Sequence, residues 1–338
     1  MAGIGGSRMR EAGVTLLEDV ERMAVMGFVE VIRHVPRHWM LLRNVRQRLE
    51  QKHTGLVTLI DYPGFNMRVA EAARAREIPV LYYITPQVWA WGAGRLEKLA
   101  RLITKAAVIL PFEERLLRQH GIDATFVGHP LLDRARDMPD RAGGRRALGV
   151  DEQAPLLALF PGSRRQEIAR HLDDFVAVGQ ELRRRVPALN VVVSVAPGIE
   201  LDAASCPFPT VRSSSFTVLR AADVAFCKSG TSTLEAAVAG CPLAIGYRTN
   251  RVTYALASRV VKVPWIGLVN VVAGRMVAPE FVQHALVPSR VADTLERLLQ
   301  PDSADRRNML DGLAAVRSRL GAPGAAARVA DMALGMVR

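Results

Sequence analysis

The chain has 338 residues, with 45 Lys and Arg against 33 Asp and Glu and a formal net charge of +12. That length exceeds one ordinary core, so two domains are the starting expectation, and 49% hydrophobic with 6% aromatic residues excludes a disordered or fibrous chain. The positive surplus asks for an anionic partner, which could be nucleic acid, a phosphorylated substrate or an acidic membrane surface.

Cys206, Cys227 and Cys241 show no CxxC pairing and no metal-ligand spacing. They read as buried apolar residues of a reduced, cytoplasmic protein. No apolar run reaches the ~18 residues of a bilayer span, and the opening MAGIGGSRMREAG lacks a signal-peptide core. The expected location is inside the cell, at most on a membrane surface.

In chain order, the first distinctive segment is MAVMGFVEVIRHVPRHWMLL, Met23 to Leu42. It either packs as core or offers an apolar face ringed by positive charge, suited to acyl chains and anionic headgroups. Strand-like runs then alternate with helical patterns: Leu56–Ile60, a helix over Asn66–Arg76, Val80–Ile84, Ala106–Leu110, a helix over Glu113–His120, and Thr125–Val127. After the turn-rich DMPDRAGG the alternation restarts with Leu156–Phe160, Val191–Val195, Val224–Cys227 and Leu243–Tyr247. This predicts an α/β protein of two doubly wound, Rossmann-like domains, residues 1–140 and 141–338, the second including the C-terminal helices.

Several turns carry chemistry. LIDYPGFN sets Asp61 at the carboxyl end of a strand, where a general base would sit and where ordinary turn chemistry also places Asp. TPQVWAWGAGR puts Trp89 and Trp91 beside glycines, a candidate stacking or apolar-substrate surface. FVGHPLLD adds His129, which alone reads as structural.

In LALFPGSRRQEI a buried-strand run stops at Pro161, and a turn carrying Gly162, Ser163, Arg164 and Arg165 leads into a helical pattern over Gln166–Leu172. Close backbone approach, a Ser cap, the positive helix end and two fixed charges fit a phosphate; a capped helix with solvated arginines is the alternative. SGTSTLEAAVAGCP repeats the device with Ser229, Gly230 and Thr231 at a helix start. Glu235, one turn in, either accepts two ribose hydroxyls or simply stabilises the helix dipole. LVNVVAGRMVAPEFVQ offers Asn270, Arg275 and Glu280 in a segment with too many breakers for a plain helix. Neither helix start is a P-loop or a GxGxxG, which argues against an ATPase or a dinucleotide oxidoreductase. The dispersed basic residues and the lack of a recognition motif argue against nucleic acid.

Taken in order, IDYPGFN, YYITPQVWAWGAGR, LPFE, FVGHPLLD, LFPGSRRQEI, SGTSTLEAAVAGCP and VNVVAGR resemble the lipid-A-disaccharide synthase family, inverting glycosyltransferases with the two-domain GT-B arrangement. The resemblance implies transfer from UDP-2,3-diacylglucosamine to 2,3-diacylglucosamine 1-phosphate, giving a β(1→6) disaccharide and UDP. No DxD stands in the chain, and Arg164 with two helix N-termini can neutralise the leaving UDP, so no metal or cofactor is expected. It implies Asp61 as the base, Asn270 as a contributor to activity, and Gly162, Ser163, Arg164, Ser229, Gly230 and Thr231 around the leaving diphosphate. Glu235 would then hold the ribose, with Arg275, Trp89 and Trp91 as further substrate contacts. A dimer and peripheral contact with the inner membrane are also implied. Members of that family begin with a strand and an SGExSGDxxGA-like loop ahead of the GIGGxRM seen here at Gly3–Met9, so a longer parent protein is expected. The alternatives are another UDP-sugar enzyme of the same fold, such as an epimerase or a soluble-acceptor transferase, and an inactive UDP- or lipid-binding remnant.

Overall fold

The computed structural model describes residues 1–20, 30–51, 54–91, 94–196, 198–201, 205–250 and 264–337. The chain opens with β1 (Ala2–Gly5), α1 (Ser7–Glu11) and β2 (Thr15–Asp19), the two strands pairing in parallel as a separate small sheet, and continues into α2 (Glu30–Glu50). Next come β3 (Val57–Ile60), α3 (Pro63–Arg74), β4 (Val80–Tyr83), α4 (Val88–Trp91), α5 (Gly94–Leu102), β5 (Lys105–Val108), α6 (Pro111–Arg118) and β6 (Asp123–Phe126). Their strands form a four-stranded parallel sheet in the order β3-β4-β5-β6. The run Val80–Tyr83 is buried throughout, as a strand covered on both faces requires.

Two short helices, α7 (Leu131–Arg134) and α8 (Arg141–Leu148), lead to the second sheet. It is built from β7 (Leu156–Phe160), α9 (Arg165–Arg185), β8 (Asn190–Ser194), β9 (Thr210–Val211), α10 (Ser215–Ala221), β10 (Val224–Lys228), α11 (Thr231–Ala239) and β11 (Leu243–Tyr247). The segment α12 (Leu268–Ala273) and β12 (Glu280–Val282) complete it. All its pairings are parallel and the order is β12-β11-β10-β7-β8-β9. The chain winds outward from β7 in both directions, so the switch point lies between β7 and β10, the place where open α/β sheets bind ligands.

Three helices finish the chain: α13 (Pro288–Leu299), α14 (Ala304–Arg319) and α15 (Ala325–Val337). The last departs from the expected division at residue 140. Ala325 and Val329 share an apolar cluster with Leu81, Tyr83, Ala107 and Val127, so α15 crosses back and covers a face of the first sheet. An amphipathic helix advertises one apolar face but not which sheet will receive it.

The return is fastened by named bonds. The Asp133 carboxylate accepts from the backbone N–H groups of Gly324 (2.6 Å) and Ala325 (3.1 Å) at the start of α15, and the His129 N–H donates to the Leu320 carbonyl at 2.9 Å. Arg328 donates to the carbonyls of Val127 and Ala322. Gly128, at φ +80°, lies where a Cβ would stand 2.8 Å from the Ala322 carbonyl oxygen, so only glycine lets the two segments approach.

Candidate functional site

A cavity of about 790 Å³ opens at the carboxyl ends of the first sheet's strands. Asp61 and Pro63 follow β3, Ile84 to Val88 follow β4, Ile109 and Leu110 follow β5, and His129 to Leu131 follow β6. Thr231 and Leu268 reach it from the second half, which makes it a cleft between the two sheets.

Asp61 is exposed on this cleft and its carboxylate makes no hydrogen bond within the described residues. Its backbone is fully committed. The N–H donates to the Tyr83 carbonyl at 3.0 Å, and the carbonyl accepts from Asn66 Nδ2 (2.7 Å) and the Tyr82 hydroxyl (2.8 Å). Burial pushes the Tyr82 phenol well above its ordinary range, so that donor keeps its proton. Asp61 and Tyr62 both adopt left-handed backbone (φ 47° and 46°), as does Ile84 across the cleft floor (φ 58°). Each such residue costs on the order of 1–3 kcal/mol, a price met here by the hydrogen bonds that fix the turn. The result is a fixed backbone turn that presents a carboxylate with free lone pairs to the cleft.

At the second sheet's switch point, the turns after β7 and β10 come together. Sequence reading placed Ser163 at the helix cap; the structure puts Arg164 there, and no side chain caps it. Instead Glu167 folds back. Its carboxylate accepts from the Ser163 N–H (3.0 Å) and meets Arg164 (3.5 Å) and Lys228 Nζ (3.0 Å). Burial raises the Glu167 pKa, but the Ser163 N–H and the Lys228 charge outweigh that and leave it below the usual carboxylate range. Gly162 takes φ +149°, and a Cβ there would stand 2.5 Å from Glu167 Cβ. Lys228 is a charged member of this cluster that sequence reading missed; its place at the end of a strand just before Ser229-Gly230 was the available signal. Thr231 faces the cleft, whereas the Ser229 hydroxyl donates to the Ile266 carbonyl at 2.6 Å and ties down the approach to α12. Gly230 immediately precedes α11.

Other expected contacts resolve differently. Glu235 is buried in α11 and one oxygen accepts from Arg134 at 3.0 Å, a pair that joins the cleft turn to the second half. Asn270 has no valence left for a substrate. Its Nδ2 donates to Ala278 O and Glu280 Oε1, and its Oδ1 accepts from the N–H groups of Val277 and Ala278. Glu280 in turn accepts from the N–H groups of Ile266 and Gly267. Asn270 therefore ties α12 to Val277, Ala278 and Glu280. Arg275 is exposed and its guanidinium lies beside Gly312 of α14, outside the cavity lining. Trp89 is not an open stacking face: its ring meets Phe112 edge-on at 5.3 Å and its Nε1 donates to Glu113 at 3.0 Å. The Trp91 side chain lies outside what is described, as do residues 21–29 and the side chains of 30–37 in the basic apolar segment. Within that segment Trp39 and Met40 are 60% and 57% exposed, with Arg43, Arg46 and Arg48 exposed on the following turns. No helix among the described residues is long and apolar enough to cross a membrane, and among them no group of His, Cys, Asp and Glu is arranged to hold a metal.

A family model described as lipid-A-disaccharide synthetase matches residues 1–320. The chain belongs to that family. A lipid-A-disaccharide synthase of Myxococcus xanthus is 38% identical over 98% of this chain and 88% of its own length, and one of Trichlorobacter lovleyi is 40% identical over 99% and 89%. Among solved structures, the fold is similar to UDP-GlcNAc 2-epimerase of Neisseria meningitidis bound to UDP-GlcNAc, with a TM-score of 0.63, 12% identity and 99% of both chains covered. It is also similar to Arabidopsis thaliana UGT89C1 complexed with UDP, with a TM-score of 0.62, 11% identity, and coverage of 100% of this chain and 92% of that one. The architecture is GT-B-like, as the resemblance implied.

One buried acid braces the cleft wall. Glu113 is 3% exposed and accepts from the Leu110 N–H and the Trp89 indole, which joins the start of α6 to α4. Burial lifts its pKa to about 7, against a downward pull from those donors. Between its ordinary value near 4.5 and about 7, the folded chain holds a proton that the unfolded chain has lost, so this group makes stability fall as pH rises through that window. The Glu113→Gln variant lacks this titration. Its melting temperature relative to wild type is expected to shift in the variant's favour between about pH 5 and about pH 8; parallel curves would contradict the assignment.

Proposed function

We propose that this chain joins two acylated glucosamines: UDP-2,3-diacylglucosamine as donor and 2,3-diacylglucosamine 1-phosphate as acceptor. Family membership across residues 1–320 supports the reaction class, and one feature of the site carries the mechanism. That feature is an unbonded carboxylate, Asp61, on a fixed turn in a cleft that the second half lines from the opposite side. The acceptor 6-hydroxyl gives its proton to Asp61 as its oxygen bonds to C1 of the donor from the face away from UDP. The C1–O bond to UDP breaks with both electrons leaving on the diphosphate. The growing negative charge meets the ends of α9 and α11 with Arg164 and Lys228, where each charge-assisted hydrogen bond contributes about 1.5–3 kcal/mol. The ribose hydroxyls belong near Glu235, whose remaining oxygen is available beside the Arg134 pair.

A peripheral membrane contact goes with this reading. Trp39 and Met40 stand out from α2 with arginines on the next turns, the composition of a surface that buries apolar side chains among anionic headgroups.

Two measurements test these assignments. Removing a positioned base costs about 10²- to 10⁴-fold in rate, so Asp61→Asn should lose turnover on that scale while binding UDP as wild type does. Near-normal turnover would remove Asp61 from the role. Sedimentation with phosphatidylglycerol vesicles should carry the protein down, and the Trp39→Ala/Met40→Ala variant should stay largely in the supernatant at unchanged melting temperature. Equal partitioning of the two would contradict a docking surface on α2.

A further inference from the structure

His129 is only 5% exposed, lines the cleft, and is held at both ends of its reach. Its backbone N–H donates to Leu320, and its Nδ1 accepts from the Leu131 N–H at 3.2 Å. A nitrogen that accepts from a backbone N–H carries no proton of its own, so the ring hydrogen is on Nε2. Nε2 has no partner among the described residues. No fully buried side-chain nitrogen or oxygen among them is left without a partner, so Nε2 is open to solvent on a residue that lines the cavity. Burial pushes the imidazole down to about 4, which keeps the ring neutral and the donor in place under ordinary conditions.

We propose that His129 donates its Nε2 hydrogen to an oxygen of the bound sugar nucleotide, either on the transferred sugar or on its β-phosphate, and so orients C1 for attack. The inference rests on the reading of this cleft as the glycosyl-transfer site. Position favours the donor substrate: Thr231, at the start of α11, lines the same cavity, and five residues beyond His129 the guanidinium of Arg134 reaches Glu235 on that helix. A neutral donor also suits its surroundings. Lys98 and Arg134 already line the cavity, and an uncharged N–H fixes an oxygen without adding a further cation beside Asp61. The close glycine contact at Gly128 and the Asp133 clasp hold the turn that presents the ring.

Two substitutions separate this role from a structural one. His129→Asn can still accept from Leu131 but ends short of Nε2, while His129→Gln places an amide N–H near the Nε2 position. With melting temperatures unchanged, His129→Asn is expected to lose about 10- to 100-fold in kcat/KM and His129→Gln to stay within about fivefold of wild type. Weaker binding of both UDP and UDP-2,3-diacylglucosamine by His129→Asn would assign the bond to the β-phosphate. A loss confined to the sugar nucleotide would assign it to the sugar. In addition, the ¹⁵N resonance of Nε2 in the wild-type protein should move when UDP-2,3-diacylglucosamine is added. Equal kinetics for the two variants and wild type, or an Nε2 resonance that ignores the ligand, would overturn the proposal. If the resonance moves but wild type forms no disaccharide, the proposed reaction fails and the His129 contact stands.

Discussion

The cleft depends on how the end of the chain is bonded back to its first half. Asp133 holds the start of α15, Arg328 reaches the end of β6, and Gly128 lets the two segments touch. These bonds seat α15 on the first sheet, although the second sheet's elements intervene between that sheet and α15 in sequence. The same short stretch, Val127 to Arg134, carries His129 into the cavity and Arg134 to Glu235. A structural clasp and the polar lining of the site are thus neighbours on one turn. A change in either is felt by the other.

The second constraint is parallel topology. Each crossover returns the chain to the same edge, so the strands of one sheet end on one side, and in the first sheet β3, β4, β5 and β6 all end at the cleft. On the first sheet this yields a strained, immobile turn with an unbonded carboxylate. On the second it yields two helix starts side by side at the switch point, with Glu167 bridging Arg164 and Lys228. The first half presents an unbonded carboxylate, Asp61, and the second presents Arg164 and Lys228 held by Glu167.

Much of this was legible in the sequence, for physical reasons. Leu156–Phe160 and Leu243–Tyr247 are uninterrupted apolar runs, and the structure makes them strands with those bounds. The PGSRR and SGTST turns declare themselves because glycine, hydroxyl and charge are confined to a few residues after a strand. Long-range bonding was not legible. Nothing local in VNVVAGR says that all four hydrogen bonds of Asn270 go to Val277, Ala278 and Glu280, or that Trp89 is claimed by Phe112 and Glu113. The same holds for α15, whose apolar face fits either sheet by pattern alone, and for Lys228, whose partner lies 61 residues away.

The proposed reaction is a single displacement at C1, assisted by a carboxylate on one side of the cleft and drained by a diphosphate site on the other. Its stereochemistry is the most direct test. The protein would be given α-configured UDP-2,3-diacylglucosamine and 2,3-diacylglucosamine 1-phosphate, and the anomeric coupling of the disaccharide read by NMR. Inversion to a β(1→6) linkage, with one UDP released per disaccharide, is the outcome this account requires. An α-linked product, or UDP release through a trapped glycosyl-protein intermediate, would contradict it.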